Sequence, residues 1–205
     1  MSVYRKYRTH LFSGAARSHV AEFVTSGPAY SLWVIFIFLL FISCESSSQN
    51  EQMNNIKVGS KVPSFSLPDQ NGNTFNIDSV LGKKNLVIYF YPKDDSPGCT
   101  KESCSFRDEM ESFNDADALV IGISGQSVES HKKFADKYNL KFTLLSDEGN
   151  KVRKMFGVPA NLFGLLPGRV TYIVNKSGKV DYLFNSQTQA TKHVEEALKV
   201  LQGLN

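Results

Sequence analysis

Cysteine is scarce in this chain, with three residues among 205. Cys44 lies in an N-terminal segment of distinct composition, which leaves only Cys99 and Cys104 for the remainder. Two cysteines do not make a disulfide scaffold. No C-x-x-C pair is present, so the usual spacing of dithiol exchange is missing. A zinc site on Cys99 and Cys104 would lack its other two ligands. Asp94-Asp95 has no histidine or further carboxylate near it in sequence and reads as a solvated turn. Long apolar runs are lacking too. The longest, residues 32–42 (LWVIFIFLLFI), has eleven residues and is too short to span a bilayer comfortably. An excess of charge is likewise absent from most of the chain. The net +3 comes from the N-terminus, where Arg5, Lys6, Arg8 and Arg17 face only Glu22. Setting residues 1–43 aside reduces Lys plus Arg from 23 to 19 and Asp plus Glu from 20 to 19. That balance gives no electrostatic case for nucleic-acid binding.

The N-terminal segment has the layout of a signal peptide: basic residues, then an apolar core, ending at Ser43-Cys44. Its Arg-rich, acid-poor composition also allows an organelle transit peptide, against which the apolar core speaks. Phe41-Ile42-Ser43-Cys44 resembles the lipobox of bacterial lipoproteins, a resemblance that implies lipidation of Cys44 and a membrane anchor. The polar ESSSQN stretch that follows suits a flexible tether. The expected organisation is a leader over 1–43, a tether over 44–56 and one domain over 57–205. The expected location is the cell envelope or periplasm, with signal anchoring or an organelle as the alternatives.

Within the domain, residues 86–91 read as a buried strand and are followed by a turn punctuated by proline and glycine. Phe106, Met110 and Phe113 recur at helical spacing, which predicts a helix with Cys99 at its N-terminus. Unpaired amides and the positive end of the helix dipole favour a thiolate there, the reactive form of the side chain. Further strands are expected at 61–67, 74–77, 118–124, 142–145, 169–174 and 179–184. Helices are expected from Ser127 to about Tyr138, within 147–157, and from Thr191 onward, with a loop over 158–168. His131 falls on an apolar helix stripe and reads as a packed histidine at the core edge. Strands alternating with helices, then a hairpin and a closing helix, imply an α/β thioredoxin-like fold with a mixed central sheet.

Residues five apart on an ideal helix sit about 7.5 Å along the axis and about 140° around it, placing their Cα atoms roughly 8 to 9 Å apart. A disulfide needs less than about 7 Å. Cys99 and Cys104 therefore either never pair, or the helix unwinds when they do. A stepwise chemistry suits that constraint, in which one sulfur is oxidised before the chain rearranges.

Pro92-Lys93-Asp94-Asp95-Ser96-Pro97-Gly98-Cys99-Thr100 resembles the peroxiredoxin active-site loop P-x-x-x-[T/S]-x-x-C. Cys104 at C-x4-C and FRD at 106–108 narrow the likeness to the PrxQ or bacterioferritin-comigratory subfamily. The resemblance extends through VPSFSLPDQNG (62–72), VIGISGQS (120–127) and GRVTYIVNKSGKV (168–180). It implies a thiol peroxidase acting on hydrogen peroxide and organic hydroperoxides without a cofactor. Cys99 would be peroxidatic and Cys104 resolving, joined as an intramolecular disulfide that a thioredoxin-like donor reduces. Pro92 would shield the thiolate, the Ser96 hydroxyl would bond thiolate and peroxide, and Arg169 would stabilise both. Ser96 stands where the family more often has threonine. Monomers and weak dimers both accord with the subfamily. An exported general thiol–disulfide oxidoreductase is the alternative, disfavoured by the C-x4-C spacing.

Overall fold

The computed structural model describes residues 56–161 and 166–203. The leader, Cys44 and the tether up to residue 55 lie outside these residues.

The organising element is β3 (Asn85–Phe90), whose six residues are all buried. Period-two alternation sends Val87 and Tyr89 to one face and Leu86, Ile88 and Phe90 to the other. Each side chain is worth roughly 1.5–3 kcal/mol of burial, which makes this strand the centre of the core. It pairs parallel with β4 (Ala118–Ser124) and antiparallel with β8 (Val170–Val174). Outside these lie β5 (Thr143–Ser146) and β9 (Val180–Asn185), giving a mixed five-stranded sheet of order β5-β4-β3-β8-β9. The short strands β1 (Ser66–Pro68) and β2 (Thr74–Asn76) form a hairpin through a turn containing Asn71-Gly72, with Gly72 at φ 83°.

Helices cover both faces. On one, α1 (Pro97–Asp108), α2 (Met110–Asp115), α3 (Val128–Tyr138) and α5 (Lys192–Gln202) contribute Phe106, Phe113, Phe134 and Leu201 to a core with Tyr89 and Val120. On the other, α4 (Lys151–Met155) contributes Val152 beside Ile121, Phe156 and Tyr172. The thioredoxin-like α/β architecture is the one the strand–helix alternation implies.

Several boundaries differ from the expectations. The expected strand over 61–67 is reduced to β1, with Lys61 making an isolated bridge to Lys179. The helix expected to carry Cys99, Met110 and Phe113 together is broken at Glu109 (φ −100°, ψ 13°), so Met110 and Phe113 belong to α2. The loop expected over 158–168 contains a two-residue pairing of β6 (Ala160–Asn161) with β7 (Leu166–Pro167). Ser127 caps α3 as expected, accepting from the Ser130 amide at 3.3 Å.

Candidate active site

The chain leaves β3 at Tyr91 and turns through Pro92–Ser96 into α1. Pro97 occupies the first turn of this helix, where its missing N–H costs nothing. Cys99 follows two residues later and is 1% exposed. It lies ahead of most of the helical hydrogen-bond ladder, whose first bond runs from Thr100 N–H to the Ser96 carbonyl. The expected helix-terminal placement of the thiol is thus present.

Arg169 arrives from the far side, one residue before β8. Because β8 lies antiparallel to β3, the start of β8 (Val170) pairs with the end of β3 (Phe90). That register brings Arg169 to the loop bearing Cys99. Its Nη2 donates to Cys99 Sγ at 3.2 Å. Gly98 permits this approach, since a Cβ there would sit 3.2 Å from Arg169 Nη2. Arg169 is 3% exposed, and its Nη1 donates to Glu102 Oε2 one turn along α1. Burial alone would lower its pKa, but Glu102 and Cys99 outweigh burial and raise it, so it stays charged.

Behind this pair lies a buried polar layer that sequence reasoning missed. Glu102 is 0% exposed, and burial pushes its carboxyl up to about 8 against the opposing pull of Arg169. Its Oε1 lies 3.7 Å from His193 Nδ1 of α5. Thr171 Oγ1 is 2.8 Å from the same nitrogen, and His193 Nε2 donates to the Ser186 carbonyl at 2.9 Å. A signal existed for Glu102: it lies three residues after Cys99 and four before Phe106, which puts a charge on the apolar stripe of α1. No sequence signal marks His193, whose part depends on where α5 packs.

The loop itself is held by Asp94, which corrects the reading of Asp94-Asp95 as a solvated turn. Asp95 is exposed and pairs with Lys137 at 2.6 Å, whereas Asp94 is buried at 6% exposure. Three side chains converge on its carboxylate: Tyr91 Oη donates at 2.7 Å, Ser130 Oγ at 2.6 Å and His131 Nδ1 lies at 2.9 Å. Burial by itself would raise this carboxyl; the bonds from His131, Ser130 and Tyr91 overcome that and hold it below its ordinary value. His131 is buried as expected, but it is also the clasp between α3 and the Cys99 loop.

Arg153 of α4 is a further residue that sequence reasoning overlooked. Its Nη2 donates to the Tyr91 carbonyl and its Nη1 to the Gly168 carbonyl, both at 2.9 Å. One guanidinium thus fixes the backbone beside Pro92 and the backbone beside Arg169. Burial lowers its pKa to about 10, which leaves it charged at neutral pH.

The other expected residues fall as follows. Pro92 is half-buried within the loop. The Ser96 hydroxyl donates to the Lys93 carbonyl at 3.0 Å and not to Cys99. Cys104 is half-buried on α1, and both cysteines are free thiols. Among the described residues, no group of three or more His, Cys, Asp or Glu side chains is placed to hold a metal ion.

A buried thiol at a helix N-terminus, contacted by a guanidinium from a facing strand of a thioredoxin-like sheet, defines a thiol peroxidase site. Comparison with known proteins agrees. Residues 58–183 match the AhpC/TSA family, to which this chain belongs, and within it to the peroxiredoxin Q or bacterioferritin-comigratory group. Chloroplastic peroxiredoxin Q of Populus jackii is 53% identical over 165 residues, covering 80% of this chain and 77% of that protein. The Arabidopsis thaliana counterpart is 52% identical over the same length, covering 80% and 76%. Among solved structures, peroxidoxin BcpB of Mycobacterium tuberculosis superposes with TM-score 0.68 at 35% identity, covering 73% of this chain and 99% of that one. A PrxQ variant from Xylella fastidiosa gives 0.67 at 25% identity, covering 73% and 98%. The chain is a thiol peroxidase of this family.

Proposed function

We propose that Cys99 is the peroxidatic cysteine and Cys104 the resolving one. The observation that carries this reading is the 3.2 Å contact from Arg169 Nη2 to Cys99 Sγ at the start of α1. A guanidinium there stabilises the thiolate and, once peroxide enters, the charge developing on its departing oxygen. The thiolate attacks one peroxide oxygen: the S–O bond forms, the O–O bond breaks, and the electron pair leaves with hydroxide or alkoxide, which takes up a proton. Cys99 is then a sulfenic acid. Cys104 sulfur attacks it, forming the disulfide and releasing water. A thioredoxin-like dithiol supplies the two electrons and two protons that restore both thiols. Pro92 limits water access to the sulfur. The Ser96 hydroxyl turns from the Lys93 carbonyl to the peroxide when substrate binds.

The deciding measurement is peroxide consumption by purified protein with dithiothreitol or thioredoxin as reductant. Cys99→Ser abolishes it. Cys104→Ser permits one turnover and then stalls unless a small thiol is supplied. Full activity in Cys99→Ser would overturn the assignment.

The N-terminal 43 residues act as a targeting segment in this proposal. The lipobox-like Phe41–Cys44 supports export and lipid anchoring through Cys44. A second destination is an organelle, favoured by the relatives that are named chloroplastic. Globomycin sensitivity and a mass shift on Cys44→Ser decide for the anchor; plastid import of a fluorescent fusion decides for the organelle.

A further inference from the structure

We propose that Glu102 is a positioning residue that holds the site's proton: in the resting reduced protein it is a carboxylic acid, which leaves the Arg169 charge to the Cys99 thiolate. The inference rests on Cys99 being the sulfur that meets peroxide.

The buried cluster contains one cation and two acids. Arg169, Cys99 and Glu102 are 3%, 1% and 0% exposed. A second anion on one buried guanidinium would be a net charge shut away from water, which is strongly unfavourable. One acid therefore keeps its proton.

The other buried guanidinium that feels Cys99 is Arg153 of α4, but its strongest charge partner is the buried Asp147, and its Nη1 and Nη2 are taken by the Gly168 and Tyr91 carbonyls, so it leaves Arg169 as the cation shared by Cys99 and Glu102. From β3, Tyr89 faces the cluster as a neutral phenol, its pKa raised well above 10 mainly by burial. From α5 comes His193. Its Nε2 must carry hydrogen, because it faces the Ser186 carbonyl, and its Nδ1 accepts from the Thr171 hydroxyl. That is the neutral tautomer. Burial first, then the nearby Arg169, pushes the ring down to about 4 against the Ser186 bond. From its own helix, Glu102 meets only Cys99 as a titratable neighbour within this cluster.

The hydrogen bonds indicate which acid holds the proton. Among the described residues, two buried side-chain oxygens lack a hydrogen bond, Thr100 Oγ1 and Glu102 Oε1. Both lie on α1 beside Cys99. An ionised Oε1 would be a buried carboxylate oxygen without a donor, an arrangement proteins avoid. A protonated Oε1 buries only a neutral O–H, with His193 Nδ1 3.7 Å away already accepting from Thr171, and an unpaired neutral group costs far less to bury than an unpaired charge. The carboxylic acid suits its surroundings and the carboxylate does not. The rise of the carboxyl to about 8 through burial points the same way.

When Glu102 ionises in alkaline solution, its carboxylate takes the guanidinium from Cys99, and attack on peroxide slows. Two measurements test this. The first is the infrared spectrum of the reduced protein. A protonated carboxyl stretch is expected at pH 7, lost as pH rises through about 8, and missing in Glu102→Gln. The second is stopped-flow oxidation of Cys99 by an organic hydroperoxide across pH. In the wild type the rate constant falls on the order of tenfold by about pH 9.5. In Glu102→Gln, which cannot ionise, that fall disappears. A wild-type spectrum at pH 7 without the acid band, or a Glu102→Gln enzyme that keeps the alkaline fall, would overturn the proposal. The infrared result needs neither the variant to fold nor the protein to turn over, so it stands apart from the Cys99→Ser test of the peroxidase site.

Discussion

His131 Nδ1 lies 2.9 Å from Asp94 Oδ2, and both side chains are shut off from water. The other ring nitrogen, Nε2, faces the Leu145 carbonyl at 3.2 Å. The pair ties α3 and the end of β5 to the loop five residues before Cys99. Asp94→Asn keeps the shape and removes the charge. It is expected to cost about 3 kcal/mol of stability, and to lower kcat/KM by loosening the loop. Urea unfolding combined with peroxidase kinetics checks both. The pH dependence has a definite sign. The Asp94 carboxyl is held below its ordinary 3.8 when folded, so its contribution is full above that value and is lost as pH falls through the lower folded one.

Arg169→Lys keeps a positive charge but loses the planar fork that spans Cys99 and Glu102. An ammonium cannot make both contacts from one position. The expected loss in kcat/KM is about 10²–10³-fold, the size seen when a donor to developing anionic charge is removed. Stopped-flow oxidation of Cys99 isolates this step from recycling.

Arg153→Met leaves the Tyr91 and Gly168 carbonyls without their guanidinium donor. Each buried unpaired carbonyl costs about 1–3 kcal/mol. Because these carbonyls flank Pro92 and Arg169, kcat/KM should fall although Arg153 does not touch Cys99 Sγ. Unchanged kinetics in a folded variant would show that the two backbones hold their places without it.

Gly122 lies on β4 directly under Tyr89. A Cβ there would lie 2.7 Å from the Tyr89 ring and 2.8 Å from Leu144 Cδ2. Tyr89 stacks on Phe106 and bonds Ser103 of α1, so displacing it shifts the helix that carries both cysteines. Gly122→Ala should destabilise by about 1–3 kcal/mol and raise hydrogen exchange in α1 ahead of the rest of the sheet.

The proposed Cys99–Cys104 disulfide requires α1 to unwind, and Glu102 makes that step sensitive to pH. Its carboxyl rises from an ordinary 4.5 to about 8 when buried in the folded helix. The stabilisation is complete below 4.5 and is lost as pH rises towards 8, because the unwound helix exposes Glu102 and releases its proton. Opening of α1 should therefore become easier from pH 5 to about 8 and level off above. Hydrogen exchange of residues 99–106, corrected for intrinsic rates, measures it. Equal protection in the reduced and disulfide forms would count against unwinding.

By itself, the sequence determined the strand-and-helix order, a buried strand over residues 86–91 and the position of Cys99 at a helix start. These follow from local rules: apolar periodicity, Pro97 at the first turn, and the Asn-Gly turn. The loop pattern and C-x4-C spacing were also legible, since both lie within thirteen consecutive residues. Arg169 was accessible only through its likeness to a known pattern. Seventy positions from Cys99, it has no local signal, and only the antiparallel register of β8 on β3 brings it there. Asp94 shows the limit most clearly. Its neighbour Asp95 has the same side chain and is exposed, while Asp94 is buried because α3 packs His131 and Ser130 against the loop. Glu102 and His193 meet because α5 closes over the same face of the sheet that α1 covers. Burial and hydrogen-bond partnership arise between elements, and for these residues only the tertiary structure decided them.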